Sequence, residues 1–544
     1  MKKILLPLLA ACACFSAAAA DFSQLWSKSA ENAFTADNKQ WNAPVTTDKA
    51  GNVIATGAFT EDFTLAGSSL EAIGTSAYIV KYDNAGNAAW AVAFTGAASI
   101  IAIDTDADGN IYVAGSFADE VSFGSTSGDA IVKEGMKVDG DFTAKKNAAY
   151  VAKYDKDGKA LDVLTIIPEI QPDLVEKIGL EVEPPYWYAD GDVSFGINDM
   201  QFSGEKLYLS ATYSGVSKIG ETVFDAGYVL YFGFMYQDNT KGTLFTLDPS
   251  LDNCSKIINV GDDSENGAMV FDTNSVWSVM FNVENDKLVS AIVGAGQLRF
   301  NNDIIYPQYD DKGNLIPHFI YTTFVNGTKF NQFADLGNSA TSTADNCFKY
   351  VTRHNDKIYI LGQRLEVEST TVDDVTTTVE KKAIFVTEFV ELADMATKST
   401  AIVDGDISYY DIASAAVLPN GDLFINVLAN YNTAKEGEYK NGEFANASKS
   451  FVFANNAFTP DETVSNAVGV ATAGSYIAFS QIAETGTTFS LYEDKNAAGI
   501  EDIVADENAP VEYYNLQGIR VDNPAAGSVV IRRQGANTTK VLVK

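Results

Sequence analysis

Seven times along this chain an acidic or glycine-rich turn leads into an apolar run of strand length. The runs begin near Val53, Ile111, Leu207, Leu288, Ile358, Leu423 and Tyr476, each just after a turn such as Asp48-Lys49-Ala50-Gly51-Asn52 or Pro419-Asn420-Gly421-Asp422. Such turn residues accept positive φ or bond their own backbone, which tight hairpins demand. Between the turns, Ala383-Ile384-Phe385-Val386 and Ser450-Phe451-Val452-Phe453 supply third strands of high β-propensity. The first two units nearly coincide: Gly51-Asn52-Val53-Ile54-Ala55-Thr56-Gly57-Ala58-Phe59 against Gly109-Asn110-Ile111-Tyr112-Val113-Ala114-Gly115-Ser116-Phe117. Further on, Ala77-Tyr78-Ile79-Val80-Lys81-Tyr82-Asp83 matches Ala149-Tyr150-Val151-Ala152-Lys153-Tyr154-Asp155. A unit of two hairpins cannot bury its apolar faces alone and must stack on its neighbours. The pattern therefore predicts an all-β chain forming a seven-bladed β-propeller with four strands per blade.

The last unit ends early, because no outer strand follows Thr488-Phe489-Ser490-Leu491-Tyr492 before the chain changes character at Asn496. Near the front, Leu25-Trp26-Ser27-Lys28 echoes the fourth strand Ala89-Trp90-Ala91-Val92 of blade one. The N-terminal strand is expected to complete the seventh blade, so that the propeller over 21–495 closes without a free edge. An acidic linker over 496–510 then leads into a short C-terminal β domain over 511–544.

The 544 residues, 46% hydrophobic, can bury a large core, and the repeats favour one array over several domains. A formal net charge of −34 without a basic stripe sets the chain against nucleic acid. Lys2 and Lys3, an apolar run from Ile4 to Phe15 and small residues to Ala20 have the layout of a secretory signal peptide over 1–20, with cleavage after Ala20. The alternative takes Leu9-Ala10-Ala11-Cys12 as a lipobox resembling that of bacterial lipoproteins, with Cys12 acylated. No other segment is long and apolar enough to span a bilayer. The expected product is secreted or held at the cell surface, as a monomer. Of the cysteines beyond residue 20, Cys254 falls on a predicted outermost strand of blade three and Cys347 on a predicted innermost strand of blade five. That separation predicts two free thiols rather than a disulfide.

Over residues 45–165 the turn, the glycine-aromatic step and the Lys-Tyr-Asp hairpin resemble the SBBP family of bacterial β-propeller repeats, which implies a scaffold rather than an activity. The end of the chain, with Tyr514-Asn515-Leu516-Gln517-Gly518-Ile519-Arg520-Val521 and the terminal Lys540-Val541-Leu542-Val543, resembles the sorting domain of the type IX secretion pathway.

Connections between first and second strands, and between third and fourth, emerge on one face of such a ring and are short here. The opposite face receives the long excursions 118–147, 168–192, 366–382 and 430–448, where a binding surface is expected. Within them Pro184-Pro185-Tyr186-Trp187-Tyr188 offers stiffened, adjacent rings to a sugar or peptide, or else pins the insertion onto the propeller. Asp104, Asp106 and Asp108 precede Gly109 in the manner of a calcium loop, but Gly115 stands where the bidentate glutamate belongs, so a solvated hairpin turn is the favoured reading. No other cofactor is expected. His318 and His354 are the two histidines, no nucleophile, zinc or phosphate-loop motif occurs, and the aspartate box of sialidase propellers is absent. These features predict a non-enzymatic binder of a glycan, peptide or envelope component. The alternatives are a carbohydrate-active hydrolase or lyase using carboxylates near the channel, and a structural cell-surface component.

Overall fold

The computed structural model describes residues 22–33, 42–135, 148–169, 193–261, 275–335, 347–390, 399–402, 410–431, 445–495 and parts of 511–542, apart from short interruptions within them. Residues Phe22–Glu493 form one compact unit, a seven-bladed propeller of antiparallel sheets without helices among the described residues. The second strands start at Val53, Ile111, Lys206, Lys287, Lys357, Leu423 and Tyr476, within one residue of the sequence expectation. Cys254 opens the outer strand of blade three and Cys347 the inner strand of blade five, as expected, and Cys254 is a free thiol.

The seventh blade is closed by the N-terminal strand Phe22–Ala30, which lies beside Thr487–Asp494. Ser29 Oγ and Thr488 Oγ1 are 2.9 Å apart, and the Tyr492 hydroxyl donates to Gln24 Oε1 at 3.2 Å. The echo between Leu25-Trp26 and Ala89-Trp90 has a packing cause. Trp26 lies under Gly86 of blade one, and Trp90 lies under Gly158 of blade two; a Cβ on either glycine would come within 2.7 Å and 2.6 Å of the indole. Both glycines also sit at positive φ, +80° and +83°. Each fourth-strand tryptophan therefore seats the third-to-fourth turn of the next blade. The glycine-aromatic step is likewise steric: Gly57 faces Tyr78 and Gly115 faces Tyr150 across the sheet, and a Cβ at either would collide with the tyrosine hydroxyl.

Apolar clusters fill the spaces between adjacent blades, for example Ile79, Trp90 and Val92 of blade one against Val113, Tyr150 and Tyr154 of blade two. Around the axis a polar side chain bridges every blade junction to the neighbour's backbone. Asp104 Oδ2 accepts from Phe202 N at 2.7 Å, and Gln201 both donates to Val283 O at 2.8 Å and accepts from Val283 N at 2.9 Å. Asn282 Oδ1 accepts from Arg353 N at 3.2 Å, the Tyr359 hydroxyl donates to Gly421 O at 3.4 Å, and Thr472 Oγ1 donates to Val417 O at 2.9 Å. Ser480 donates to Ala43 O, and Asn42 Nδ2 donates to Ile100 O at 3.3 Å, which completes the circle. Bonds of this kind, most of them partly buried, tie each blade to the next.

The excursions on the second face are more regular than expected. Glu120–Phe123 and Ile131–Glu134 form a hairpin that extends the outer edge of blade one through Phe123 and Phe94. The span 366–382 continues blade five: Lys357–Val372 pairs with Val375–Val390 along its whole length, ending at Val372 opposite Val375. Its many Thr and Val residues suit an extended chain. A further hairpin, Leu298–Phe300 with Asp303–Ile305, joins the outer strand of blade three. Apart from this unit, a three-stranded antiparallel sheet of Val511–Tyr514, Val529–Gln534 and Asn537–Leu542 occupies the C-terminal region, where Arg520 Nη1 meets Glu512 Oε1 at 2.8 Å.

Candidate functional site

The inner strands share a feature that alternation along the sequence does not reveal. In six of them the pairing slips by one residue at equivalent positions, between Ile100 and Ala102, Ile197 and Asp199, Val276 and Ser278, Phe348 and Tyr350, Ile412 and Ser414, and Ala467 and Gly469. A bulge re-aims side chains and bends its strand. Here it turns two consecutive residues toward the axis: Ile101 with Ala102, Asn198 with Asp199, Lys349 with Tyr350, Ala413 with Ser414 and Val468 with Gly469 all line one axial cavity of about 270 Å3. Every blade contributes to its wall, blade one through Asn42, Pro44 and Val45 and blade four through Met280.

The wall is chemically lopsided. Blades one, two and seven present mainly aliphatic residues, whereas blades three and five present Asn198, Asp199, Lys349 and Tyr350. At the equivalent bulge in blade four stands Trp277, 43% exposed, the one exposed large hydrophobic residue on an inner strand among those described. Each inner strand is entered from the face that carries the long connections, and the bulges lie in the half of the strand nearer that face.

Asp199 accepts from its neighbour Met200 N at 2.8 Å. Its surface is partly accessible because it borders the lumen. Burial, with the negative charge of Asp104 adding to it, pushes the Asp199 carboxyl up to about 7. Burial likewise raises Asp104 to about 6, against the pull of the Phe202 and Thr105 amides. The Tyr350 hydroxyl is raised by burial and by Asp199, with Thr352 opposing. Asn198 Oδ1 is buried without a hydrogen-bond partner.

The sequence-predicted residues fare differently. Asp104 spans the junction of blades two and three. Asp106 binds its own turn, accepting from Asp108 N at 3.0 Å, Asn110 N at 2.8 Å and Asn110 Nδ2 at 2.7 Å, while Asp108 is exposed. Asp48 with Asn52 and Asp83 with Asn87 make the same turn. Among the described residues no group of three or more His, Cys, Asp or Glu side chains is placed to hold a metal ion. Tyr186, Trp187 and Tyr188 lie outside the described residues. His318 is buried on the third strand of blade four, and His354 Nδ1 approaches Glu284 Oε1 at 3.6 Å at the tight-turn end of blade five. Asn198, Asp199 and Trp277 escaped the sequence reading. What marks them is a polar pair and a tryptophan at a repeat position that holds small or aliphatic residues in blades two, six and seven.

No protein-family model and no curated protein matches the chain. Among solved structures it is similar to the polysaccharide lyase Uly1, with 11% identity and a TM-score of 0.42 over 83% of this chain and 89% of that one. It is also similar to an α-L-arabinanase of Penicillium chrysogenum complexed with arabinobiose, with 9% identity and a TM-score of 0.34 over 73% and 93%. The propeller domain of the trilobed protease from Pyrococcus furiosus, described as having an open velcro topology, aligns at 9% identity and a TM-score of 0.26 over 81% and 97%. Likenesses this loose carry nothing about activity.

Proposed function

We propose that this protein is an exported, non-enzymatic propeller that binds a glycan at the mouth of its axial channel, on the face that carries the long connections. The observation that carries this reading is Trp277. It is an exposed ring on the inner strand of blade four, at the bulge position that in the flanking blades lines a cavity with Asn198, Asp199 and Lys349. Flat aromatic surface beside a few convergent hydrogen-bonding groups is the usual composition of a sugar site. Tyr186, Trp187 and Tyr188, the rings singled out in the sequence, would add to it. A peptide or other envelope component in place of the glycan, or a purely structural role at the cell surface, are the outcomes against which this is tested. Export rests on the signal-like residues 1–20 and the type IX-like residues 511–544, and the SBBP-like repeats of blades one and two support a scaffold.

One observation favours a second reading, a hydrolase or lyase. Asp104 and Asp199 are two carboxyls beside the channel with raised proton affinity, as acid–base chemistry on sugars requires. Asp104, however, spends both oxygens on backbone amides, at 2.8 Å from Thr105 and 2.7 Å from Phe202, which suits a structural clasp better than a proton shuttle. A glycan array followed by product analysis separates the two. Retained ligand without turnover is expected; new reducing ends would establish the enzyme, and no retention at all would remove both.

A further inference from the structure

Asp199 carries a carboxylate that no cationic group among the described residues answers. The bulge brings it, beside Asn198, to the wall of the axial cavity. Asn198 Oδ1 is buried and makes no hydrogen bond, and Asp199 has one, from the Met200 amide. The charged groups facing Asp199 make the imbalance worse. Blade two contributes Asp104, and blade five contributes the Tyr350 phenol. Lys349 lines the same cavity from blade five but is not among the groups acting on Asp199. A carboxylate without a cationic partner in a confined space is stabilised most by a compact cation with several N–H donors.

We propose that the axial cavity binds a protonated primary amine, the free amino group of an amino sugar, seated against the Asp199 carboxylate. This rests on the glycan reading and narrows it. An ammonium supplies the donors that the carboxylate lacks and screens Asp199 from Asp104. A cavity of about 270 Å3 falls just below the usual range for ligand pockets, roughly 300–1,000 Å3, so it admits the end unit of a chain rather than its interior. Trp277, exposed on the inner strand of blade four, would stack on the next unit.

The test is calorimetric titration of the full chain with glucosamine, glucose and ethanolamine at about pH 7.5, where most of Asp199 is ionised. Glucosamine is expected to bind about tenfold tighter than glucose, the gain of one charge-assisted contact. Ethanolamine should compete, and the preference should vanish in Asp199→Asn with unchanged circular dichroism. Equal affinity for glucose and glucosamine, or a preference that survives Asp199→Asn, would overturn the proposal. So would triglycine binding as tightly as glucosamine, which would assign the site to peptide N-termini. If the glycan array retains neutral sugars while no amine preference appears, the inference falls and the glycan reading stands.

Discussion

The rim of the propeller and its axis use repetition in opposite ways. At the rim, the same residues recur because the same contact recurs: Trp26 under Gly86 and Trp90 under Gly158. At the axis the backbone recurs and the residues do not. The inner-strand bulge carries Ile101-Ala102 in blade two, Asn198-Asp199 in blade three, Trp277-Ser278 in blade four and Lys349-Tyr350 in blade five. A repeated side chain on a repeated backbone solves a packing problem. A varied side chain on a repeated backbone is free to serve chemistry, and here it places polar groups on one side of the cavity and aliphatic ones on the other.

The largest effect should come from breaking the rim. Trp90→Ala removes a buried indole, 8% exposed, that packs blade one against blade two, and is expected to cost about 3–5 kcal/mol in urea unfolding. Ligand retention in the surviving folded fraction should be unchanged. Gly115→Ala comes next. Its Cβ would meet the Ser99 carbonyl as well as the Tyr150 hydroxyl, whose bond to that carbonyl is 2.9 Å, so backbone has to move. The expected loss is about 1–3 kcal/mol by the same measurement. A cost near zero for either variant would mean that these repeated residues are not what holds the blades.

This contrast explains what was legible in the sequence. The rim could be read because turns and strand starts leave local signatures, such as the Asp-to-Asn turns at Asp48, Asp83 and Asp106, and because Trp26 repeats Trp90. Closure by Phe22–Ala30 followed from that pair. The axis could not be read in the same way. A bulge adds one residue to a strand and reverses the alternation after it, which in short, mostly apolar strands such as Ala98–Thr105 leaves no trace. The span 366–382 differs for another reason: length alone suggests an irregular loop, although its richness in Thr and Val favours the paired strands that form. Asp104 drew attention through neighbours in sequence, Asp106 and Asp108, whereas its working partner is Phe202, 98 residues away.

At the axis, Asp199→Asn should act in the opposite direction to the rim variants. The native state holds this carboxyl up to about 7, against an ordinary value of 3.8. Between those values the folded protein keeps a proton that the unfolded chain has released, so stability from this group is complete below about pH 4 and is lost as the pH rises through 7. Asparagine removes the loss. The variant should be more stable than the parent by about 1–2 kcal/mol at pH 8, after discounting for contact with the lumen, and no more stable at pH 4. Parallel urea curves at the two pH values check this, and a gain at pH 4 equal to that at pH 8 would show that burial of the charge is not the cause.

The smallest stability effect, and the sharpest division between the two regions, belongs to Trp277→Ala. A tryptophan at the rim is buried, but Trp277 is 43% exposed on a strand whose pairing does not depend on its ring. Its loss should change unfolding by no more than about 0.5 kcal/mol, as for an ordinary surface position. Retention on a glycan array should nevertheless fall by about tenfold, since stacking on an exposed ring contributes on the order of 1 kcal/mol or more to sugar or base recognition. A tryptophan whose removal weakens folding and leaves retention intact would belong with Trp26 and Trp90, and the axis would then be an extension of the scaffold. Loss of retention at unchanged stability would assign the exposed ring to the ligand.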